Sequence, residues 1–307
     1  MVSCKETAAC SSGVDECQKE SSKVNAFGPI AYASLAISVV FLALLYSPVF
    51  KHWWVQWNAK ESYYSHGILI PFISAFIIWL DRKNLSSIAV MPSASAYFLL
   101  IPVLAMGVFS IWVPSVSIAG AFFPVILYGI GALLLGWKMV RRLSFPLAYL
   151  YFAVPLPAFV LTVMSFRIRM LSTIGAFGML KALSLHVSRI GTDIFLPNGV
   201  TVSVESPCSG FRFLISLFAL AVLVSHLVDG EWWRKALLVV LMLPLSALLN
   251  GFRIMLVALV GNFWGADAMI VFHDNYAGLI MTAMGIACLY LLTRVLRCQR
   301  FNTTLSF

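Results

Sequence analysis

Charged side chains are scarce in this chain. Asp, Glu, Lys and Arg together make up 11% of the 307 residues, whereas hydrophobic residues make up 61%. A water-soluble protein of this length cannot hide so much apolar surface in its core. The composition therefore excludes an ordinary soluble protein and predicts an integral membrane protein that is surrounded by the lipid bilayer.

Acidic residues are the rarer charged group. Twelve Asp and Glu residues stand against 21 Lys and Arg residues, which gives a net charge of +9. In a soluble protein this excess would indicate nucleic acid as a partner, but here the basic residues lie between apolar runs, as in the loops of membrane proteins. We therefore expect no nucleic-acid partner, and the outer loops contain no acidic cluster of the kind that holds a metal ion.

The six cysteines do not form a pattern typical of disulfides. Five of them lie in the polar N-terminal segment or in and beside the last apolar run: Cys4, Cys10, Cys17, Cys288 and Cys298. The sixth, Cys208, has no second ligand at a spacing that would indicate zinc. We therefore expect no metal and no other cofactor.

Apolar runs long enough to cross a bilayer recur along the chain, since a spanning helix needs about 20 residues. About eight runs meet this criterion, at approximately residues 29–50, 67–81, 96–113, 115–136, 144–164, 209–228, 235–262 and 276–296. The predicted fold class is an all-α polytopic membrane protein. No soluble domain fits between the runs, so residues 25–300 are predicted to form one transmembrane domain, preceded by a disordered tail over 1–24 and followed by a short tail over 301–307.

Basic residues in the short loops predict the orientation. They cluster in four loops, around residues 82–83, 138–142, 234–235 and 294–300. These loops and both ends of the chain are predicted to be cytoplasmic, whereas residues 51–66, 165–208 and 263–275 are predicted to face outward. Four basic residues are exceptions, which an amphipathic helix at the membrane surface would accommodate: Arg167, Arg169, Lys181 and Arg189.

A small outer β-hairpin is predicted directly before Cys208. The segment Leu196-Pro197-Asn198-Gly199 is followed by alternating Val and polar residues up to Glu205. Asn-Gly favours a tight hairpin turn, and apolar residues at every second position favour a strand.

Cys208 lies where this strand meets the next apolar run. Ser206 suits the N-cap and Pro207 the first position of a helix, which would place Cys208 in the first helical turn. The amide groups and the dipole at a helix N-terminus favour a thiolate. The alternative is that Cys208 is simply a small hydrophobic residue.

Arg253 lies inside an otherwise apolar run. A guanidinium group at that depth costs several kcal/mol (about 2.5–3.5 on insertion scales) unless it is paired or hydrated. Asn250 precedes it by three residues, so the two share one face of a helix. The alternatives are that Arg253 extends to the membrane surface or pairs with a carboxylate for assembly.

His273 precedes the last apolar run, in a predicted outer loop. Together with Cys208 and Arg253 it completes what acyl transfer needs, a nucleophile, a proton carrier and a fixed cation. His66 is predicted to lie at the outer surface, either as an interfacial anchor or at the entrance for a substrate.

These motifs resemble those of the exosortase and archaeosortase family of membrane-embedded protein-sorting enzymes. The resemblance lies in Pro207-Cys208-Ser209-Gly210, in Asn250-Gly251-Phe252-Arg253, in His273 and in Tyr64-Ser65-His66-Gly67. It implies a cysteine peptidase or transpeptidase, in which Cys208 is the nucleophile, Arg253 the electrostatic partner and His273 the general acid or base. Asn250, Ser206, Ser209 and His66 would bind substrate or support these three.

The same resemblance implies the substrate and the location. Substrates would be exported proteins that end in a short motif of the Pro-Glu-Pro type, a hydrophobic helix and a basic cluster. The enzyme would lie in a bacterial inner membrane with its active site on the outer side, and it would pass the cleaved protein to an unknown acceptor or to water.

Three other functions are compatible with the residues. A transporter or channel would use Arg253 as an anion site and His273 as a proton relay. A membrane lipid or sugar transferase would usually need an acidic metal cluster. A scaffold for polysaccharide export would not need the Cys208 thiol.

Overall fold

Helices dominate the computed structural model, which describes residues 29–59, 62–112, 116–204 and 210–298. The predicted tails over 1–24 and 301–307 lie outside the described residues, and so do Ser206, Cys208 and Ser209. The chain divides into two compact units. The first extends to Trp53 and continues over Leu69–Val154, and the second combines Trp54–Ile68 with the chain from Pro155 onward.

The first unit is built from apolar helices. They are α1 (Pro29–Leu45), α2 (Ser47–Asn58, which ends in the second unit), α3 (Leu69–Leu80), α4 (Arg82–Ser86), α5 (Tyr97–Trp112), α6 (Val116–Leu135), α7 (Trp137–Arg142) and α8 (Ser144–Tyr149). Short 3-10 turns cover Ala94–Ala96 and Leu150–Ala153. Helices α5 and α6 pack closely on each other, with Leu100 against Gly129.

Aromatic side chains pack into positions where helices carry glycine. Tyr46 is fully buried, and its hydroxyl occupies the space that a side chain at position 107 would fill. Trp53 packs in the same way against Gly120, and its ring lies 5.6 Å from that of Phe123. Small residues allow such close approach in membrane proteins, where no hydrophobic force draws helices together.

A buried ion pair joins the ends of α3 and α7. Arg142 donates from Nε to Asp81 Oδ2 at 2.6 Å and from Nη2 to Oδ1 at 2.9 Å, and Asn84 donates to the same carboxylate. The side chains of Arg142 and Asp81 are only 15% and 6% exposed. Paired hydrogen bonds of this geometry are the strong form of an Arg–carboxylate interaction. The pair therefore fixes the predicted cytoplasmic loops of this unit to each other.

The second unit contains longer helices and a small sheet. Its elements are a 3-10 turn (Ser65–Ile68), α9 (Ala158–Ala182), β1 (Ser188–Ile190), β2 (Asp193–Phe195), β3 (Thr201–Ser203), α10 (Phe211–Leu227), α11 (Trp232–Phe272), a π-helical turn (His273–Ala277) and α12 (Gly278–Val295). Helix α11 is central, because α9, α10 and α12 all pack on it.

The sheet is antiparallel, with strand order β1-β2-β3. Ile194 is opposite Arg189 in one pair and Val202 in the other. The turn between β2 and β3 contains Gly199 at φ +83°, and the Asn198 side chain donates to the carbonyl of Gly261 on α11. Where one outer hairpin was predicted, the described chain thus contains three strands.

One face of the sheet packs on the helices. Ile194, Val202 and Val204 are buried in a cluster with Leu180 of α9 and Val257 of α11. Since successive strand residues point to opposite faces, this packing fixes the register of β3. It also fixes where the chain leaves the sheet, at Val204.

Helix α11 is interrupted near its end. It has 41 residues, but Gly265 has φ +85° and ψ 179°, far from helical values. An unbroken helix of that length would be about 60 Å long, twice the thickness of the hydrocarbon core. The chain instead reverses, and α12 packs back on α11, where Met281 and Leu289 meet Met242.

The predicted number of about eight spans is not confirmed. Among the described residues, the stretches long and apolar enough to cross a membrane are Ala94–Trp112, Val116–Leu135, Ala158–Ala182 and Trp232–Val295. A fifth arises if α1 and α2, bent by 68°, count as one span. The helices Ser65–Leu80 and Phe211–Leu227 are apolar but shorter. The structure is thus mostly helical and consistent with a polytopic membrane protein.

Three predictions along the chain differ from the structure. The span predicted over 144–164 is broken, because Pro155 and Pro157 lie between α8 and α9 and proline cannot donate a helical hydrogen bond. The long helix is α9, so residues 165–182 are helical and Arg167 lies within a candidate span. His273 lies in a continuous helical stretch, not in a loop.

Candidate functional site

Arg253 and His273 lie side by side. Nη2 of Arg253 is 2.9 Å from Nε2 of His273, although the two residues are 20 positions apart in the chain. Arg253 is carried by α11 and His273 by the π-helical turn that follows the kink at Gly265. A guanidinium group is only a donor, so Nε2 of His273 accepts this hydrogen bond.

Asp274 completes a short polar chain with the same histidine. Its Oδ1 lies 2.8 Å from Nδ1 of His273, and the imidazole is 28% exposed. Since Nε2 accepts from Arg253, the proton of a neutral imidazole lies on Nδ1 and is donated to Asp274. The arrangement holds the histidine in one tautomer and one ring orientation.

Asn250 is fully buried one turn before Arg253 on α11. Its side-chain amide packs against Gly210 so closely that a Cβ atom on Gly210 would overlap it. Gly210 has φ +70° and is the N-cap of α10, which begins at Phe211. The helix start predicted at Ser206 and Pro207 lies outside the described residues.

Two cavities meet at Arg253. The first cavity, of about 410 Å³, lies between α10 and α12 and is also lined by Gly210, Arg212 and Thr282. The second cavity, of about 290 Å³, lies beside the sheet and is lined by Val204, His273 and Asp274. Arg253 therefore borders both cavities.

His66 lies close to the first cavity. Its Nδ1 is 3.1 Å from Oγ of Ser216, and both Ser216 and the neighbouring Ser65 line this cavity. The preceding loop is held by Tyr64, whose hydroxyl accepts a hydrogen bond from the amide of Leu156 at 2.9 Å. Burial raises the pKa of Tyr64 to about 12.

Two residues of this site were not predicted from the sequence. Asp274 is adjacent to His273 in the chain. A carboxylate next to a candidate catalytic histidine could have been predicted from the sequence as its hydrogen-bond partner. Arg212 lies in an apolar helix, which is the same signal that singled out Arg253. Among the described residues, no group of three or more His, Cys, Asp or Glu side chains is placed to hold a metal ion.

The helical fold and the half-buried cation beside a histidine define a polytopic membrane protein with a polar site among its helices. The sequence matches the profile of the transmembrane exosortase family over residues 53–291. The chain therefore belongs to the transmembrane exosortase family, which confirms the predicted resemblance. This membership indicates an enzyme that processes sorting signals. Comparisons with curated proteins and with solved structures find no significant match.

Proposed function

We propose that the chain is a cysteine peptidase or transpeptidase that removes C-terminal sorting signals from exported proteins. The proposal assigns Cys208 as the nucleophile, Arg253 as the stabilising cation and His273 as the proton carrier. Asn250 supports the site, and Ser206, Ser209 and His66 are assigned to substrate contacts. The observation that carries the proposal is the 2.9 Å contact between Arg253 and His273.

Covalent geometry supports the inclusion of Cys208. Gly210 packs on Asn250, which lies one turn from Arg253 on the same face of α11. Two peptide units separate residues 208 and 210, so their Cα atoms are at most about 7.6 Å apart. Upstream, Val204 is buried against α11. The segment that contains Cys208 is therefore attached at both ends beside Arg253.

The chemistry follows from these assignments. Arg253 Nη2 first exchanges its hydrogen bond with Nε2 of His273 for one with the substrate's carbonyl oxygen. Nε2 then takes the proton of the Cys208 thiol, and the thiolate attacks the carbonyl carbon of the scissile peptide bond. Arg253 donates hydrogen bonds to the oxyanion. The C–N bond breaks, His273 protonates the leaving amine, and the exported protein remains as a thioester on Cys208. An acceptor amine or water then attacks the thioester and gives its proton to His273, the C–S bond breaks, and His273 passes that proton to sulfur.

The location of the site supports an outward-facing enzyme. Arg234 and Lys235 begin α11, and basic residues mark the cytoplasmic side. Arg253 lies 19 residues beyond Arg234 on this helix, which corresponds to about 28 Å of rise. This distance supports a site at the outer face of the membrane. The proposal includes a bacterial inner membrane as the location and a cytoplasmic position for both ends of the chain.

A reporter assay tests the proposal. The reporter is a tagged exported protein that ends in Pro-Glu-Pro, an apolar helix of about 20 residues and a Lys/Arg cluster. We expect wild type to cleave it and Cys208→Ala to leave it intact while remaining in the membrane. Cys288→Ala is the matched control, because Cys288 is a free thiol on α12 and should be dispensable.

The results separate the candidate functions. Loss of cleavage in Cys208→Ala alone, together with a thioester-linked intermediate in wild type, supports the peptidase. Cleavage that persists in Cys208→Ala contradicts the assignment of the nucleophile. Absence of cleavage by wild type, combined with transport or polysaccharide export that does not depend on Cys208, favours the transporter or the scaffold.

A further inference from the structure

Two arginines line the first cavity. Arg212 enters it from the first turn of α10 and Arg253 from α11, and Ser65, Ser216 and Thr282 add hydroxyl groups near them. No Asp or Glu is among the described residues that line this cavity. Two cations that face one cavity between apolar helices raise its positive potential, which favours an anionic ligand.

The cavity continues as a groove along the same helices. Leu220 and Ile286 line both the first cavity and a third one of about 470 Å³, which extends to Val228 and Leu289. From Arg212 to Val228 the groove follows 16 residues, which corresponds to about 24 Å of helix. We call this continuous space between α10 and α12 the α10–α12 groove.

The groove is mainly apolar along its length, with Arg212 and Arg253 at one end and Arg294, which donates to the hydroxyl of Tyr290, at the other. Its walls beyond Arg212 are formed mostly by aliphatic side chains, of which Leu217, Leu220, Val224 and Ile286 are examples. A matching ligand has a carboxylate at one end, followed by an apolar helix. The end that contains Arg212 also contains Arg253, where peptide cleavage is proposed.

We infer that the α10–α12 groove binds the C-terminal segment of the substrate, with the acidic residue of its motif on Arg212 and its apolar helix between α10 and α12. The inference rests on the proposed function. It divides the arginines by role, because Arg212 binds the substrate's carboxylate and Arg253 serves the scissile bond. The continuity of the groove with Arg253 favours a peptide over a membrane phospholipid.

Charge exchange tests the contact with Arg212. We expect Arg212→Gln to lower cleavage of the reporter about 10- to 100-fold, as for the loss of a hydrogen bond to a charged group. Arg212→Glu should abolish cleavage of the original reporter. The same variant should cleave a reporter whose motif Glu is replaced by Arg at least about tenfold faster than it cleaves the original reporter. Arg167→Gln, which removes an exposed arginine of α9, is the matched control and should have no effect.

Photocrosslinking tests the groove independently of turnover. In the Cys208→Ala background, a photoreactive amino acid in place of Ile286 should crosslink to the apolar helix of the reporter. The same amino acid in place of Phe109, which is 70% exposed on α5, should not. Crosslinks from position 286 to phospholipid alone, or from both positions equally, would overturn the inference.

The two proposals fail in different ways. Cleavage that depends on Cys208 but is unchanged in Arg212→Gln, with no crosslink from position 286, overturns the groove and leaves the peptidase intact. Cleavage that does not depend on Cys208 overturns the nucleophile, whatever happens at Arg212. Rescue by the reversed charge pair supports the contact even if Arg212→Gln folds poorly, because misfolding cannot be corrected by a change in the reporter.

Discussion

Replacing Gly210 with Ala tests whether Asn250 holds the chain beside Arg253. Gly210 has φ +70°, and an added Cβ atom would overlap the amide of the fully buried Asn250. The left-handed conformation costs an Ala about 1–2 kcal/mol. Overpacking at a buried contact typically adds about 1–3 kcal/mol. Gly210→Ala should therefore lower the free energy of unfolding by about 2–5 kcal/mol.

Gly199 provides the matched control. It has φ +83°, yet an added Cβ atom would find no other atom within 4 Å. Gly199→Ala should therefore cost only the conformational part, about 1–2 kcal/mol. Denaturant titration of the purified protein in detergent measures both free energies of unfolding, and the reporter measures cleavage. We expect Gly210→Ala to lower the rate of cleavage more than about tenfold. A rise of about 1.4 kcal/mol in the activation free energy already slows a reaction tenfold.

The comparison of the two glycines can refute this reasoning. If Gly210→Ala and Gly199→Ala lose equal stability and equal activity, the packing of Gly210 on Asn250 does not hold the site. If Gly210→Ala loses stability but keeps full cleavage, the contact is structural only. Loss of cleavage that exceeds the loss of stability is the result that supports a role in placing Cys208.

Two further predictions concern charged residues. Arg142→Ala leaves the buried Asp81 without its cation and should lower the free energy of unfolding by about 3–5 kcal/mol in a denaturant titration. The double variant Asp81→Leu with Arg142→Met should recover most of that loss, and no recovery would contradict the ion-pair explanation. Arg253→Lys keeps the charge but loses the planar set of donors, so reporter cleavage should fall about 100-fold. Normal turnover by this variant would show that a point charge is sufficient.

Helices α5 and α6 show what composition can predict. Their apolar runs were predicted at 96–113 and 115–136, and the helices cover Tyr97–Trp112 and Val116–Leu135. In both, proline is internal, at Pro102 and Pro124, without ending the helix. Apolar length decides here because a helix in lipid must satisfy every backbone group internally.

The region around α9 shows where the same rule fails. Apolar residues continue through 144–164, but Pro155 and Pro157 separate two helices within that run. The following 25-residue helix contains Arg167 and Arg169, which counted against a span in the sequence. Arg169 lies over the ring of Phe166, at 5.6 Å, an interaction that hydropathy does not include. The two prolines therefore end a predicted span, whereas the two arginines lie within a helix that the sequence did not predict as a span.

The site itself depends on a chain reversal that local sequence patterns do not specify. In an unbroken helix, residues 253 and 273 would be about 30 Å apart. They are in contact because the chain turns back at Gly265, whose φ of +85° is strained for residues with a Cβ atom. A glycine in an apolar run indicates that the helix can be interrupted there, but not in which direction the chain continues. Chemistry and predicted topology associated Arg253 with His273, and the resemblance supplied their expected roles, whereas the structure shows the physical means by which they meet.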